Sequence, residues 1–402
     1  MTSSRRQNRN DAACCLRRAR ALGLVAALAV CPTVFGEPYE PARDDTVLIR
    51  IPAAASSRHT QRLRSALASN SHDLSAALEL ARAYLDAGRR EGDPRFFSYV
   101  QGTLQPWTER EDAPANALVL TATSLQSLHR FTEARSLLDR ALTRDPRNAQ
   151  AWLTKATILQ VQGEFDAAQD ACSHLLGVTD QRIALGCLLS ARSMNGRLAE
   201  SYAALSRVMA NIGGLNQGTV SWLTSLLGEM SVRIGNDTEA QRHFASALTA
   251  DPDDSYARGE LADVYLRQAR YHEVIALLSQ HESHDALLLR LAIAGKHLGT
   301  HAGKRWISMY DARYKAARRG GDLTHLREET RYLLEVLGDV DGAFKTAERN
   351  WQTQREPADI RLYQRAAILS GRSHTVIDAW IAVHRYQDAT LDAKPGTRQV
   401  RL

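Results

Sequence analysis

The sequence predicts an all-α chain, a solenoid of antiparallel helix pairs stacked one on the next. Three observations carry this reading. Small and apolar residues recur with a period of 34 residues. Within each period they are spaced three or four apart, the spacing of one face of a helix. Glycines and Asp-Pro pairs fall where the helices have to turn back.

The chain has 402 residues, 44% hydrophobic and 24% charged, which is ordinary globular composition and ample length for a repeat array. Its net charge of +6 is concentrated at the N-terminus. Arg5, Arg6, Arg9, Arg17, Arg18 and Arg20 lie in the first 36 residues against one acid, Asp11; removing that segment takes 51 basic and 45 acidic residues to 45 and 44, a net of +1. The remainder therefore lacks the basic excess that drives phosphate binding by counterion release, and nucleic acid is not expected as a partner.

Residues 1–36 predict a secretory signal peptide: an Arg-rich stretch, the apolar run Ala21–Val30, then Cys31, Pro32 and an exit with cleavage after Gly36. An uncleaved N-terminal anchor is the alternative, although the run is shorter than the ~20 residues of a spanning helix. Asn8 argues against a twin-arginine signal, and Val30 with Pro32 against a lipoprotein box around Cys31. The expected location is the periplasm or cell envelope, with membrane contact only through this segment if it is retained. Residues 37–73 read as an N-terminal arm or linker, with Leu63 and Ala66 a possible half-unit.

From residue 74 to 388 the periodic pattern predicts about eight to nine helix pairs. Ala77, Ala81, Tyr84 and Gly88 mark a first helix, and an insertion at 89–95 delays its partner to about Phe96–Leu104. The clearest units follow. Leu118, Ala122, Leu125, Phe131, Ala134, Leu138, Ala141 and Pro146 form one; Trp152, Ala156, Leu159, Gly163, Phe165, Ala168, Cys172 and Leu175 repeat it 34 residues on. Gly228, Gly235, Ala240, Phe244, Ala247 and Pro252 renew the scheme, and Ala262, Tyr265, Tyr271, Val274 and Leu278 continue it. Small residues such as Ala122, Ala156 and Gly228 let the paired helices approach, while Phe131, Phe165 and Phe244 fill the wedge between units. The unit from Arg182 is weaker, with Ser201 at an alanine place. Residues 285–320 match least, with a long basic second helix ending near Arg318-Arg319. The pattern returns at Leu334, Gly338, Ala343 and Ala347, and again at Ala367, Gly371, Val376 and Trp380; residues 389–402 read as a tail.

This 34-residue series, with Trp152, Ala156, Gly163, Phe165, Ala168 and the terminal Pro146 and Pro252, resembles the tetratricopeptide repeat (TPR) family over about three quarters of the chain. The resemblance implies a right-handed superhelical solenoid whose first helices line a concave partner-binding groove. The outward residues of those helices would be Asn116, Thr123, Gln126, Gln150, Thr157 and Gln160 in the first half, all amides and hydroxyls suited to the backbone of an extended peptide. In the second half they would be Trp222, Glu229, Arg233, Tyr256, Asp263 and Arg267, an aromatic and charged set suited to a particular side chain or helix. Some family members grip an acidic C-terminus with basic residues on successive first helices. Val119, Thr123, Leu153 and Thr157 stand in those places, so that grip is not expected.

Catalytic and metal motifs are weak. His281-Glu282-Ser283-His284-Asp285 has its histidines three apart, not the four that would share a zinc-binding helix face. His297 and His301 have that spacing, but Gly295, Gly299 and Gly303 make a continuous helix doubtful there. Asp251–Asp254 lacks a calcium loop. There is no phosphate-binding glycine loop, nucleophile elbow or Cys-x-x-Cys. Neither metal nor cofactor is expected, and Lys304, Arg305, Arg313, Lys315, Arg318 and Arg319 read as a solvated face. Cys172 and Cys187, the two cysteines left after the signal, admit a disulfide. The plainer reading is two small buried side chains on neighbouring helices, because nothing in the spacing fixes their distance. The expected function is a non-catalytic protein-interaction scaffold of the bacterial envelope. An alternative is an assembly factor holding extended clients. From other classes come a glycan-binding module using Trp222 and Trp152, or an envelope enzyme.

Overall fold

The structure is a computed structural model, and it describes residues 57–319 and 325–391. The signal region, most of the arm and the end of the tail lie outside the described residues. Helix α1 (Arg58–Ser69) precedes nine antiparallel pairs among the described residues. These are α2 (Leu74–Glu91) with α3 (Arg95–Thr108), α4 (Ala115–Ser127) with α5 (Phe131–Arg144), α6 (Ala149–Val161) with α7 (Phe165–Ser173), and α8 (Gln181–Met194) with α9 (Leu198–Val208). They continue as α10 (Gln217–Ile234) with α11 (Asp237–Ala250), α12 (Ser255–Arg267) with α13 (Tyr271–Leu278), and α14 (Asp285–Leu298) with α15 (His301–Arg319). The last two pairs are α16 (Leu326–Arg331) with α17 (Val340–Trp351) and α18 (Pro357–Leu369) with α19 (Thr375–His384). A π-helical turn, Tyr332–Leu337, extends α16.

The chemistry of the ends sets these boundaries. Asn148 caps α6 by accepting from the Ala151 amide at 3.0 Å, and Asp254 caps α12 through Ala257 at 3.0 Å. The close approach within pairs is visible at Gly228, where an added Cβ would lie 2.6 Å from the Phe244 ring. Phe96, Phe165 and Phe244 are fully buried in the wedges between helices. In the least regular pair the backbones nearly touch: a Cβ on Gly295 would sit 2.3 Å from the Gly303 Cα. Gly299 breaks the helix at φ +64°, so His297 and His301 belong to different helices, and His297 stacks on Tyr271 at 4.5 Å. The segment 281–284 is a turn between α13 and α14, as expected of a loop.

The cysteines correct the plainer reading. Cys172 on α7 and Cys187 on α8 form a disulfide, with Cα atoms 5.6 Å apart, joining two successive repeats. Among the described residues no three His, Cys, Asp or Glu side chains are grouped to hold a metal, and no helix is long and apolar enough to cross a membrane.

The first helices touch one another in succession from α2 through α14, so they form the inner wall of the solenoid. The wall coils far enough to meet itself. The row of turns inside the early pairs lies against the row of loops between the late pairs. Ser255 donates to the Arg89 carbonyl at 2.9 Å, and a Cβ on Gly92 would strike the His284 ring. Gln354 meets His129 at 3.1 Å, and the Arg355 amide donates to the Val161 carbonyl at 2.7 Å. The Leu198 amide donates to Gln387 at 3.1 Å, and the Ala389 amide to the Arg233 carbonyl at 2.7 Å. Phe165 and Met194 complete the seam by packing into the C-terminal cluster of Trp351, Tyr363 and Tyr386. The residues paired across it advance in the same order on both sides. Two turns of the superhelix are therefore stacked edge to edge.

Candidate functional site: a polar lumen

The late first helices line a cavity of about 720 Å³, bounded by α12, α14, α16 with its π turn, and α18. Thr390 and Leu391 reach one end of it. All four helices are first helices of their pairs, so the cavity is the lumen of the solenoid.

The wall is built by ion pairs between successive first helices. Asp263 on α12 receives Arg290 of α14 at 2.5 Å and Arg331 of α16 at 2.7 Å. Burial alone would raise the Asp263 carboxyl, but the two guanidinium groups outweigh it and hold the acid well below the usual carboxylate range. Glu335 takes Arg365 at 3.2 Å, and Asp388 takes Arg361 at 2.8 Å. Arg327 ties α16 to Asp359 at 2.6 Å and also meets Glu356; Asn350 donates to the same Asp359 oxygen at 2.8 Å. Each of these lumen arginines is held by a carboxylate.

Two acids are not so held. Glu229 on α10 accepts the Tyr256 hydroxyl at 2.9 Å, and among the described residues no ion pair reaches it or Glu260. Burial, then the charge of Glu260, push the Glu229 carboxyl up to about 8. Burial and the neighbouring Asp263 likewise raise Glu260. His284, also on the cavity wall, is lowered to about 4, by burial first and then by Arg290.

The residues expected in the groove divide into three groups. Tyr256, Asp263 and Arg267 line the cavity, with Glu229 beside them; Arg267 is paired with Asp237 at 3.0 Å. Thr123 is buried, bonded to the Val119 carbonyl at 2.8 Å, and Arg233 is buried under the Tyr386 ring at 4.8 Å. Neither is open to a partner, because the first satisfies its own helix and the second holds the seam. Asn116 and Gln150 are exposed, Gln126 is half-buried, and Thr157 donates to the Leu153 carbonyl at 3.0 Å. Gln160 accepts from Ser190 at 2.8 Å, and Trp222 is half-buried against Gly186. Trp152 stacks on His174 at 3.9 Å. Both tryptophans are thus committed to packing.

The sequence reading passed over Glu260, although Tyr256, Glu260, Asp263 and Arg267 are spaced four, three and four along α12, one continuous face. Arg290 and Arg331 carried no such signal. They become lumen residues through the alignment of α14, in the poorest-matching stretch, with α16.

A family profile for the tetratricopeptide repeat matches residues 125–186, which run from the end of α4 into α8. No curated protein matches the sequence. Among solved structures, one similar chain is from the APC/C hetero-tetramer Cut9–Hcn1, with 15% identity and a TM-score of 0.42 over 76% of this chain. That match spans 52% of the other chain, about half its length. A monomeric IFIT1 mutant with Gppp-AAAA is 12% identical, with a TM-score of 0.47 over 81% of this chain and 75% of that one. A tetratricopeptide repeat protein from Parabacteroides merdae is 14% identical, with a TM-score of 0.33 over 82% of this chain and 100% of its own.

Proposed function

We propose that the chain, which carries a tetratricopeptide repeat match over residues 125–186, is a non-catalytic scaffold of the bacterial cell envelope that holds a segment of a protein partner in its lumen. The observation that carries the reading is the seam. With the turns stacked along the described residues, the late first helices line a cavity of about 720 Å³, too small for a folded partner. An extended segment fits, which favours a holder of extended clients over an adaptor for folded domains. The polar wall supports the same choice, since side-chain amides and paired charges can bond a peptide backbone in many registers.

Placement in the envelope is supported by the secretory pattern of residues 1–36 and by the Cys172–Cys187 disulfide, a bond that persists in oxidising compartments. A protein partner is preferred to nucleic acid because the chain beyond residue 36 is nearly neutral and the lumen arginines are committed to carboxylates. A glycan platform is disfavoured, since Trp152 and Trp222 are both packed.

Filling the lumen tests this. Ala358 lines the cavity, and Ala358→Trp narrows it. The expected result is loss of binding to reduced, alkylated envelope proteins with helical content unchanged. Undiminished binding by a folded Ala358→Trp variant would place the partner elsewhere.

A further inference from the structure

We propose that the lumen wall formed by Glu229, Tyr256 and Glu260 takes up a lysine or arginine side chain of the bound extended segment. The inference rests on the reading of the lumen as a peptide channel and names the partner chemistry that channel selects.

The charge arrangement of the wall points to it. Asp263, Glu335, Asp359 and Asp388 each have an arginine within ion-pair distance, supplied by the next helix or the next turn. Glu229 and Glu260 break this rule. They lie on adjacent first helices, close enough to interact electrostatically; Arg290, Arg361 and Arg267 act on Glu260 from a distance, but among the described residues no cation comes within ion-pair distance of either acid. Arg233 is the nearby candidate on α10, but its guanidinium is turned away to Ser193 at 2.9 Å and to the Gln387 carbonyl at 3.2 Å. With Glu260 on the cavity wall, Glu229 beside it and no ion-pair partner on either, the charged forms of these half-buried acids are disfavoured, and a cation entering from the cavity stabilises them.

The rest of the wall fits a long basic side chain. Tyr256 fixes the Glu229 carboxylate through its hydroxyl at 2.9 Å and offers its ring to a cation. Leu266, Ile293, Leu362 and Ile368 line the same cavity and give the aliphatic stem an apolar surface. An acidic or neutral side chain placed there gains none of these contacts.

The test uses the full chain and three labelled twelve-residue peptides, identical except that one central position is Lys, Gln or Glu. Binding is read by fluorescence anisotropy in 0.15 M salt. The Lys peptide should bind at least tenfold more tightly than the Gln peptide, and the Glu peptide more weakly than either. Glu260→Gln, which keeps the shape but cannot ionise, should abolish the Lys preference, so that the Lys and Gln peptides bind alike. Glu229→Gln should reduce the preference in the same way, whereas Glu273→Gln on an outer helix should not. Equal binding of the Lys and Gln peptides, or a preference that survives Glu260→Gln, overturns the inference and leaves the peptide channel standing. Failure of all three peptides to bind the unaltered chain overturns the channel reading and this inference with it.

Discussion

Replacing Arg233 by methionine opens the seam between superhelical turns. The guanidinium is buried and makes three hydrogen bonds, one across that seam to the Gln387 carbonyl at 3.2 Å and two to Ser193 of α8 on its own side, to the hydroxyl at 2.9 Å and to the carbonyl. It also lies 4.8 Å from the Tyr386 ring centroid. Methionine keeps much of the volume and the ring contact but leaves the two carbonyls without this donor. A hydrogen bond from a charged group contributes roughly 1.5–3 kcal/mol, and an orphaned buried acceptor costs about 1–3 kcal/mol. These terms overlap, and a loss of about 3 kcal/mol is the reasonable total for one substitution. The contact joins residue 233 to the end of the described chain, so the loss is local before it is global. The amide of Ala389, which donates to the Arg233 carbonyl, should lose about a hundredfold of hydrogen-exchange protection, while amides of α4 to α7 keep theirs. Unchanged protection at residues 386–391 in a folded Arg233→Met protein would refute the view that this arginine clamps the turns.

Other expected outcomes concern single positions. Gly295→Ala forces a Cβ to within 2.3 Å of the Gly303 backbone and should cost about 3 kcal/mol in a urea titration, with little effect if α14 and α15 are not in contact there. Ala269 holds a left-handed φ of +57° in a turn where other repeats use glycine, so Ala269→Gly should stabilise by about 0.5–1 kcal/mol. Glu229 keeps its proton up to about 8 in the folded chain, against an ordinary 4.5. Between those values the folded state binds the proton and the unfolded state does not, so stability falls as pH rises through that window. The full shift corresponds to about 5 kcal/mol, and water in the lumen reduces it to about 2 kcal/mol. The difference in Tm between pH 5 and pH 8 should therefore shrink in Glu229→Gln; an undiminished difference would assign it to other groups.

Much of the architecture was legible because each repeat writes its helices locally. Gly228 against Phe244 and the turn at Gly163 follow from residues within one 34-residue unit, and the doubt about a continuous helix across His297 and His301 came from three nearby glycines. The seam was not legible. Its contacts join residues 150 to 225 apart, such as Gln354 with His129, and each unit contributes only one or two of them. That is why Arg233 read as a groove residue: its place on the helix face is correct, but the next turn covers it. The disulfide was undecided for a related reason, since a separation of 15 residues across a helix turn does not fix a Cα distance of 5.6 Å. The lumen was half legible. Tyr256, Asp263 and Arg267 share a face written in α12, whereas the two arginines that pair with Asp263 come from later units.

Site-specific photo-crosslinking in intact cells tests the lumen most directly. A photoreactive phenylalanine at Ile368, on the cavity wall, is compared with one at Thr249, exposed on outer helix α11. Adducts at position 368 that map to an extended, lysine- or arginine-bearing segment of an envelope protein, with none at 249, are the predicted result. Partner adducts at 249 and none at 368 would contradict it.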